Sequence, residues 1–197
     1  MIGNLLQIDF MKIRRKGIWF LTFLGPIGVV ALQMVNYGIR KDYLLQQSDN
    51  DWLYYLDNVH AFTPLALVLG IAILTSFMAS IENETNAWKQ LIALPVSKMT
   101  VYLSKFTVLA CLLFVSSCLL LLTSAGYGIL LNLGRKIPIE ELLKISFYPF
   151  IAALPILALQ LWAALVSDNQ GVPITLGVIS VILTYCGYVL PDWVIWK

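Results

Sequence analysis

The residues able to do chemistry are few and scattered. His60 is the single histidine, the cysteines are Cys111, Cys118 and Cys186, and the adjacent carboxylates Glu140 and Glu141 have Lys144 one turn on. A metal centre needs several converging nitrogen, oxygen or sulfur ligands. A lone histidine and cysteines without a CxxC pair supply no such set, and the odd cysteine count within apolar runs suggests no disulfide framework. The glutamate pair would need several further histidines to hold a metal. No serine or cysteine has a neighbouring base in its own segment to make it a nucleophile. No glycine-rich loop ending in Lys-Ser or Lys-Thr is present to cradle nucleotide phosphates. The expectation is no catalytic residue, no metal and no cofactor in this chain, with any ATP and Mg chemistry placed in a partner subunit.

The sequence offers a docking surface instead. Residues 82–106 read ENETNAWKQLIALPVSKMTVYLSKF. Asn83 or Thr85 can cap a short helix, Glu84 suits its positive end, and Pro95 forces an end by Leu94. On that helix Trp88, Leu91 and Ile92 share one apolar face, with Lys89 beside it. Such a face suits a groove on another protein; alternatively it lies on the membrane or against neighbouring spans. Ser97 can cap the next helix, and Lys105 stands where its stem can snorkel into the interface.

The elements that position this segment follow from composition. Of 197 residues, 59% are hydrophobic and 12% charged, with a mean hydropathy of +0.81, against roughly 45–50% and about 25% in soluble domains. A chain this short cannot hide that much apolar surface in its own core, so lipid must be its solvent. A net charge of +2 with dispersed basic residues excludes a nucleic-acid surface. Five stretches reach the length that a hydrocarbon core of about 30 Å demands: residues 17–38, 61–81, 106–133, 145–166 and 172–190. The chain therefore reads as an all-α polytopic integral membrane protein. The third stretch is longer than a bilayer requires, so it should tilt, or break near Gly126-Tyr127-Gly128, and kinks are predicted at Gly25-Pro26 and Leu154-Pro155.

Lys12, Arg14, Arg15 and Lys16 cluster before the first span and place the N-terminus in the cytoplasm. Residues 1–16 are then a cytoplasmic lead-in, either an interfacial helix or a plain basic flank, and residues 82–105 a cytoplasmic loop. Arg135, Lys136 and Lys144 oppose this alternation. No span so drawn holds an ionisable residue, so the machinery of ion-coupled transport is missing. Trp52, Tyr54 and Tyr55 at the outer end of the second span read as an aromatic belt in the headgroup layer, or as an outer surface contacting a peptide.

The 82–106 segment resembles the first cytoplasmic loop of ABC type 2 exporter permeases. The matching residues are Glu82 at the end of the second span, Trp88-Lys89 in the coupling helix, the turn Leu94-Pro95-Val96-Ser97-Lys98, and Ser104-Lys105 entering the third span. The wording LPVSK followed by YLSK is most similar to the lantibiotic-protection branch. The resemblance implies one transmembrane permease domain over residues 1–197, paired with a second permease copy or paralogue and docked on a separate ABC ATPase that carries ATP and Mg. It implies export of an amphipathic antimicrobial peptide from a bacterial cell, with Glu82, Glu84, Trp88, Lys89, Leu91, Ile92, Pro95 and Lys105 coupling to the ATPase. The family pattern has six spans and five are legible here, which suggests a truncated chain or a lost last span. The alternative from another class is a non-transporting membrane scaffold, sensor or peptide-sequestering immunity protein.

Overall fold

The computed structural model describes residues 9–13, 17–44, 50–84, 97–134, 136–167 and 171–185. After a helical lead-in over residues 9–13 come α1 (Ile18–Leu44), α2 (Asp51–Glu84), α3 (Lys98–Leu130), α4 (Ile139–Val166) and α5 (Gly171–Tyr185), and no strand occurs among the described residues. Helices are what lipid permits, because each satisfies its own backbone hydrogen bonds. Each overlaps one expected span, with residues 186–190 of the fifth outside the described residues; α1 to α4 are long and apolar enough to cross a membrane, and α5 is a shorter apolar helix. Consecutive helices run antiparallel, and α2 packs against all four others.

Three helices begin earlier than hydropathy indicates: α2 at Asp51 rather than residue 61, α3 at Lys98 rather than residue 106, and α4 at Ile139 rather than residue 145. The added turns are polar on one side only. In α2 they carry Asp51 and Asp57, yet Trp52, Tyr55, Leu56 and Val59 are buried at helical spacing. In α3 the buried positions Val101, Ser104, Lys105 and Val108 make the same stripe. A window that averages hydropathy misses such a face; periodicity does not.

The break expected at Gly126-Tyr127-Gly128 is absent, and α3 runs without interruption to Leu130. Gly128 has a different task. The Trp52 indole lies so close that a Cβ at position 128 would overlap its six-membered ring. The same indole donates a long 3.5 Å hydrogen bond to the Gly134 carbonyl in the α3–α4 turn. At φ +133°, Gly134 holds a backbone conformation that needs glycine. The helices also continue through Pro26 and Pro155, and the irregular backbone in α1 falls at Arg40 (φ −125°, ψ 24°) rather than at Gly25-Pro26.

The buried side chains form two clusters. One, at the lead-in end, includes Ile13, Ile71, Met78, Ile81, Val108, Leu112 and Leu157. The other includes Val30, Tyr37, Trp52, Tyr55, Leu56, Leu120 and Leu133. Between them lies a waist of small and polar residues, among them Thr22, Gly25, Thr63, Gly70 and Ser117, around a cavity of about 50 Å³.

The glycines yield a prediction of opposite signs. Gly128→Ala forces a methyl group into a rigid, buried indole and should cost about 1–3 kcal/mol. A Cβ at Gly70 meets no heavy atom within 4 Å, so Gly70→Ala should be neutral or add up to about 1 kcal/mol of helix stability. Thermal unfolding of the purified protein in detergent measures both.

Candidate functional site

The end of the bundle where α2 stops and α3 starts carries most of the expected functional residues. Glu82 and Glu84 occupy the last turn of α2. Trp88, Lys89, Leu91, Ile92 and Pro95 lie outside the described residues. On the far side of that segment Ser97 caps α3: its backbone is extended (φ −69°, ψ 142°) and its Oγ accepts from the Thr100 N–H at 3.2 Å.

Lys105 differs from expectation. It sits two turns inside α3 on the buried stripe and is 1% exposed, so it does not snorkel to the interface. Its Nζ lies 3.4 Å from Asp9 Oδ1, and Ser104 Oγ donates to Asp9 Oδ2 at 2.8 Å. The span boundary drawn before Phe106 had left this lysine in the loop. In the structure it is an ionisable group inside the helix, tolerated because a carboxylate comes to meet it.

Asp9 is the functional-end residue that sequence reasoning missed. Of the lead-in, residues 9–13 are described, and they pack on the bundle. Asp9 and Ile13 are buried, Phe10 packs on the lead-in-end cluster, and Met11 is 54% exposed. A signal was present: Asp9 and Ile13 are four residues apart on one face, and Asp9 is the only acid within the otherwise basic first 40 residues. Its partner could be seen only by placing Lys105 on the Val101–Ser104–Val108 stripe.

At the opposite end the aromatic residues also depart from expectation. Trp52 is 3% exposed and Tyr55 fully buried, so neither presents its ring to headgroups or to a peptide; only Tyr54 is partly open. Trp52, Tyr37 and Tyr127 surround Tyr55 with ring centroids 6.3, 5.7 and 6.0 Å away. The Tyr55 hydroxyl donates to the Ser124 carbonyl at 3.2 Å, and Gln33 Nε2 donates to the Asn58 carbonyl at 2.9 Å. These residues join α1, α2 and α3. Their amphipathic character, which the belt reading relied on, serves tertiary packing instead. His60 is exposed on α2, while Glu140 and Glu141 pair with Lys144 at 2.8 and 3.1 Å on the surface.

The bundle thus anchors both roots of the 85–96 segment: α2 through the packed cluster around Met78 and Ile81, α3 through the Asp9–Lys105 pair. Displacement of that segment has rigid helices to act on, and the lead-in is tied to the same point. The family described as ABC-2 family transporter protein matches residues 5–187. Neither the curated proteins nor the solved structures contain a match.

Asp9 holds both the Lys105 ammonium and the Ser104 hydroxyl in a buried setting, and a hydrogen bond to a charged group contributes about 1.5–3 kcal/mol. Asp9→Ala should therefore lower thermal stability by about 1.5–3 kcal/mol in detergent. Lys144→Ala, which breaks an exposed pair, should leave the unfolding midpoint unchanged.

Proposed function

The chain belongs to the ABC-2 family of transporter proteins, and from that membership we propose that it is the membrane half of an ATP-driven exporter whose cargo is an amphipathic antimicrobial peptide. A member of this family is a permease subunit of an ABC transporter, a transport component that generally works with an ABC ATPase. The single observation that carries the reading is the family match over nearly the whole chain, together with apolar helices able to span a bilayer. The LPVSK and YLSK wording supports the lantibiotic-protection branch, a bacterial plasma membrane and an immunity role.

On this reading the α2–α3 end faces the cytoplasm, and the segment with Trp88, Leu91 and Ile92 docks on the ATPase. ATP-driven closure of the ATPases moves that segment, and α2 and α3 carry the movement as rigid bodies. Glu82 and Glu84 sit at the hinge with α2. Lys105, held by Asp9, makes the lead-in move with α3. The waist pocket, about 50 Å³, is far smaller than a peptide, and a path between two permease copies gives the room it lacks. Uncharged walls suit an amphipathic cargo.

Orientation is tested by labelling. With native cysteines replaced, Asn50→Cys should react with an impermeant thiol reagent in intact cells and Lys98→Cys should not; both positions are exposed. The reverse pattern would invert the docking assignment. Coupling is tested at the anchor ring. A central aromatic commonly contributes about 2 kcal/mol or more to an interface, so Trp88→Ala should weaken ATPase association by roughly thirtyfold and abolish peptide protection with insertion unchanged. Trp193→Ala, which removes an equally large ring beyond the predicted span 172–190 and so at the other end from the docking segment, should leave association intact. Protection that persists when the partner ATPase is inactivated would favour the sequestering scaffold.

A further inference from the structure

Between α4 and α5 the bundle surface opens into a groove of about 250 Å³. Ile156, Leu159 and Trp162 on α4 and Leu176 on α5 form its apolar walls, Gln160 and Ser180 are its polar residues, and no charged residue lines it. Leu159 and Trp162 are 58% and 60% exposed. Gln160 is 3% exposed, and neither its Oε1 nor its Nε2 has a hydrogen-bond partner.

The cause of that isolation is visible. Helix α5 crosses α2 so closely that a Cβ on Gly177 would overlap Ala72, and Gln160 Nε2 lies 3.8 Å from that Cβ position. Two helices in such contact spend their carbonyls on their own ladders and leave the amide nothing to bond. An unpaired donor and acceptor out of water are unfavourable, and a ligand that supplies an acceptor and a donor together relieves both at once.

Depth narrows the ligand. Helix α4 has 28 residues and Gln160 lies six before its end at Val166. At about 1.5 Å per residue this is roughly 9 Å from the end, and the apolar part of α4, residues 145–166, is about 33 Å long, close to a hydrocarbon slab of about 30 Å. Gln160 therefore falls roughly 7 Å inside the hydrocarbon, about midway between headgroups and midplane, where only an uncharged ligand is stable.

We propose that this groove binds an apolar membrane lipid that carries a neutral amide beside its chain. Gln160 Nε2 donates to the lipid carbonyl, Oε1 accepts from the lipid N–H, and the tail lies along Leu159, Trp162 and Leu176. The terminal torsion of glutamine is soft, so the amide turns toward the groove without a shift of the helix. An ester lipid offers acceptors only and meets half of what Gln160 presents. A free acid or phosphate would bring a charge to walls with no counter-charge. A helix from a second copy has already spent its backbone groups on itself.

The test uses two probes that differ by one group: N-propyl dodecanamide and its ester analogue, propyl dodecanoate, titrated into the purified full-length protein and read by native mass spectrometry. The wild type should bind the amide about tenfold more tightly, the scale of one added neutral hydrogen bond. Gln160→Leu should abolish the preference without lowering the unfolding midpoint, since it removes an unpaired amide. Ala163→Phe, which fills the groove, should weaken both probes and keeps the test decisive if Gln160→Leu fails to fold. Equal binding of the probes to the wild type, a preference that survives Gln160→Leu, or undiminished binding to Ala163→Phe would overturn the proposal. So would a Gln160→Leu variant that changes oligomeric state while the wild type shows no preference, because a second copy would then fill the groove.

Discussion

Lipid tails are as apolar as leucine, so nothing resembling the hydrophobic effect drives one spanning helix onto the next. Everything else in this bundle depends on that constraint. Contact must come from shape and from polar groups returned to the protein itself. Shape acts where Trp52 presses on Gly128 and where Ala72 meets Gly177. The hydroxyls of Thr63, Thr75 and Ser117 bond back to carbonyls of their own helices at 2.8, 2.9 and 3.1 Å. A few longer reaches tie one helix to another: Gln33 to the Asn58 carbonyl, Tyr55 to that of Ser124, Tyr102 to that of Ala158. With α2 in the middle, each tie also fixes the helices on either side of it.

The two ends solve the same problem with different chemistry. At the lead-in end the tie between chain segments distant in sequence is ionic, Asp9 to Lys105, supported by the Ser104 hydroxyl. At the other it is aromatic, with Tyr55 packed among three rings. A charge-assisted contact is directional; rings packed edge to face slide at smaller cost. The stiffer joint thus lies at the end where an energy-supplying partner is proposed to push.

Helix number and class were legible in the sequence because five apolar runs of spanning length have no other stable form in lipid. Helix starts were not legible from hydropathy, yet they were in principle from spacing: Trp52, Tyr55, Leu56 and Val59 mark one stripe, and Val101, Ser104, Lys105 and Val108 mark another. The reading of Trp52 and Tyr55 as a belt failed because an amphipathic ring suits the headgroup layer and a polar-lined helix junction equally well, and only the fold decides between them. Gly126-Tyr127-Gly128 looked like a weak point because glycine weakens an isolated helix; opposite a bulky neighbour the missing Cβ is what allows contact. The Asp9–Lys105 pair joins residues almost a hundred positions apart, and no local pattern announces such a meeting. Gln160 was visible only as a polar residue in a span, its isolation being a property of how α5 crosses α2.

The small pocket at the waist bears on the lipid around the bundle. It is open on one side and lined mainly by apolar residues such as Leu21, Leu67, Leu113 and Leu120. An apolar recess open to a bilayer does not stay empty, because the end of a lipid chain that enters it restores the van der Waals contacts its wall atoms would otherwise lack. A movement that narrows the waist has to expel that chain first. The length and order of the surrounding chains, and not only the protein, then set how readily the two buried clusters approach each other.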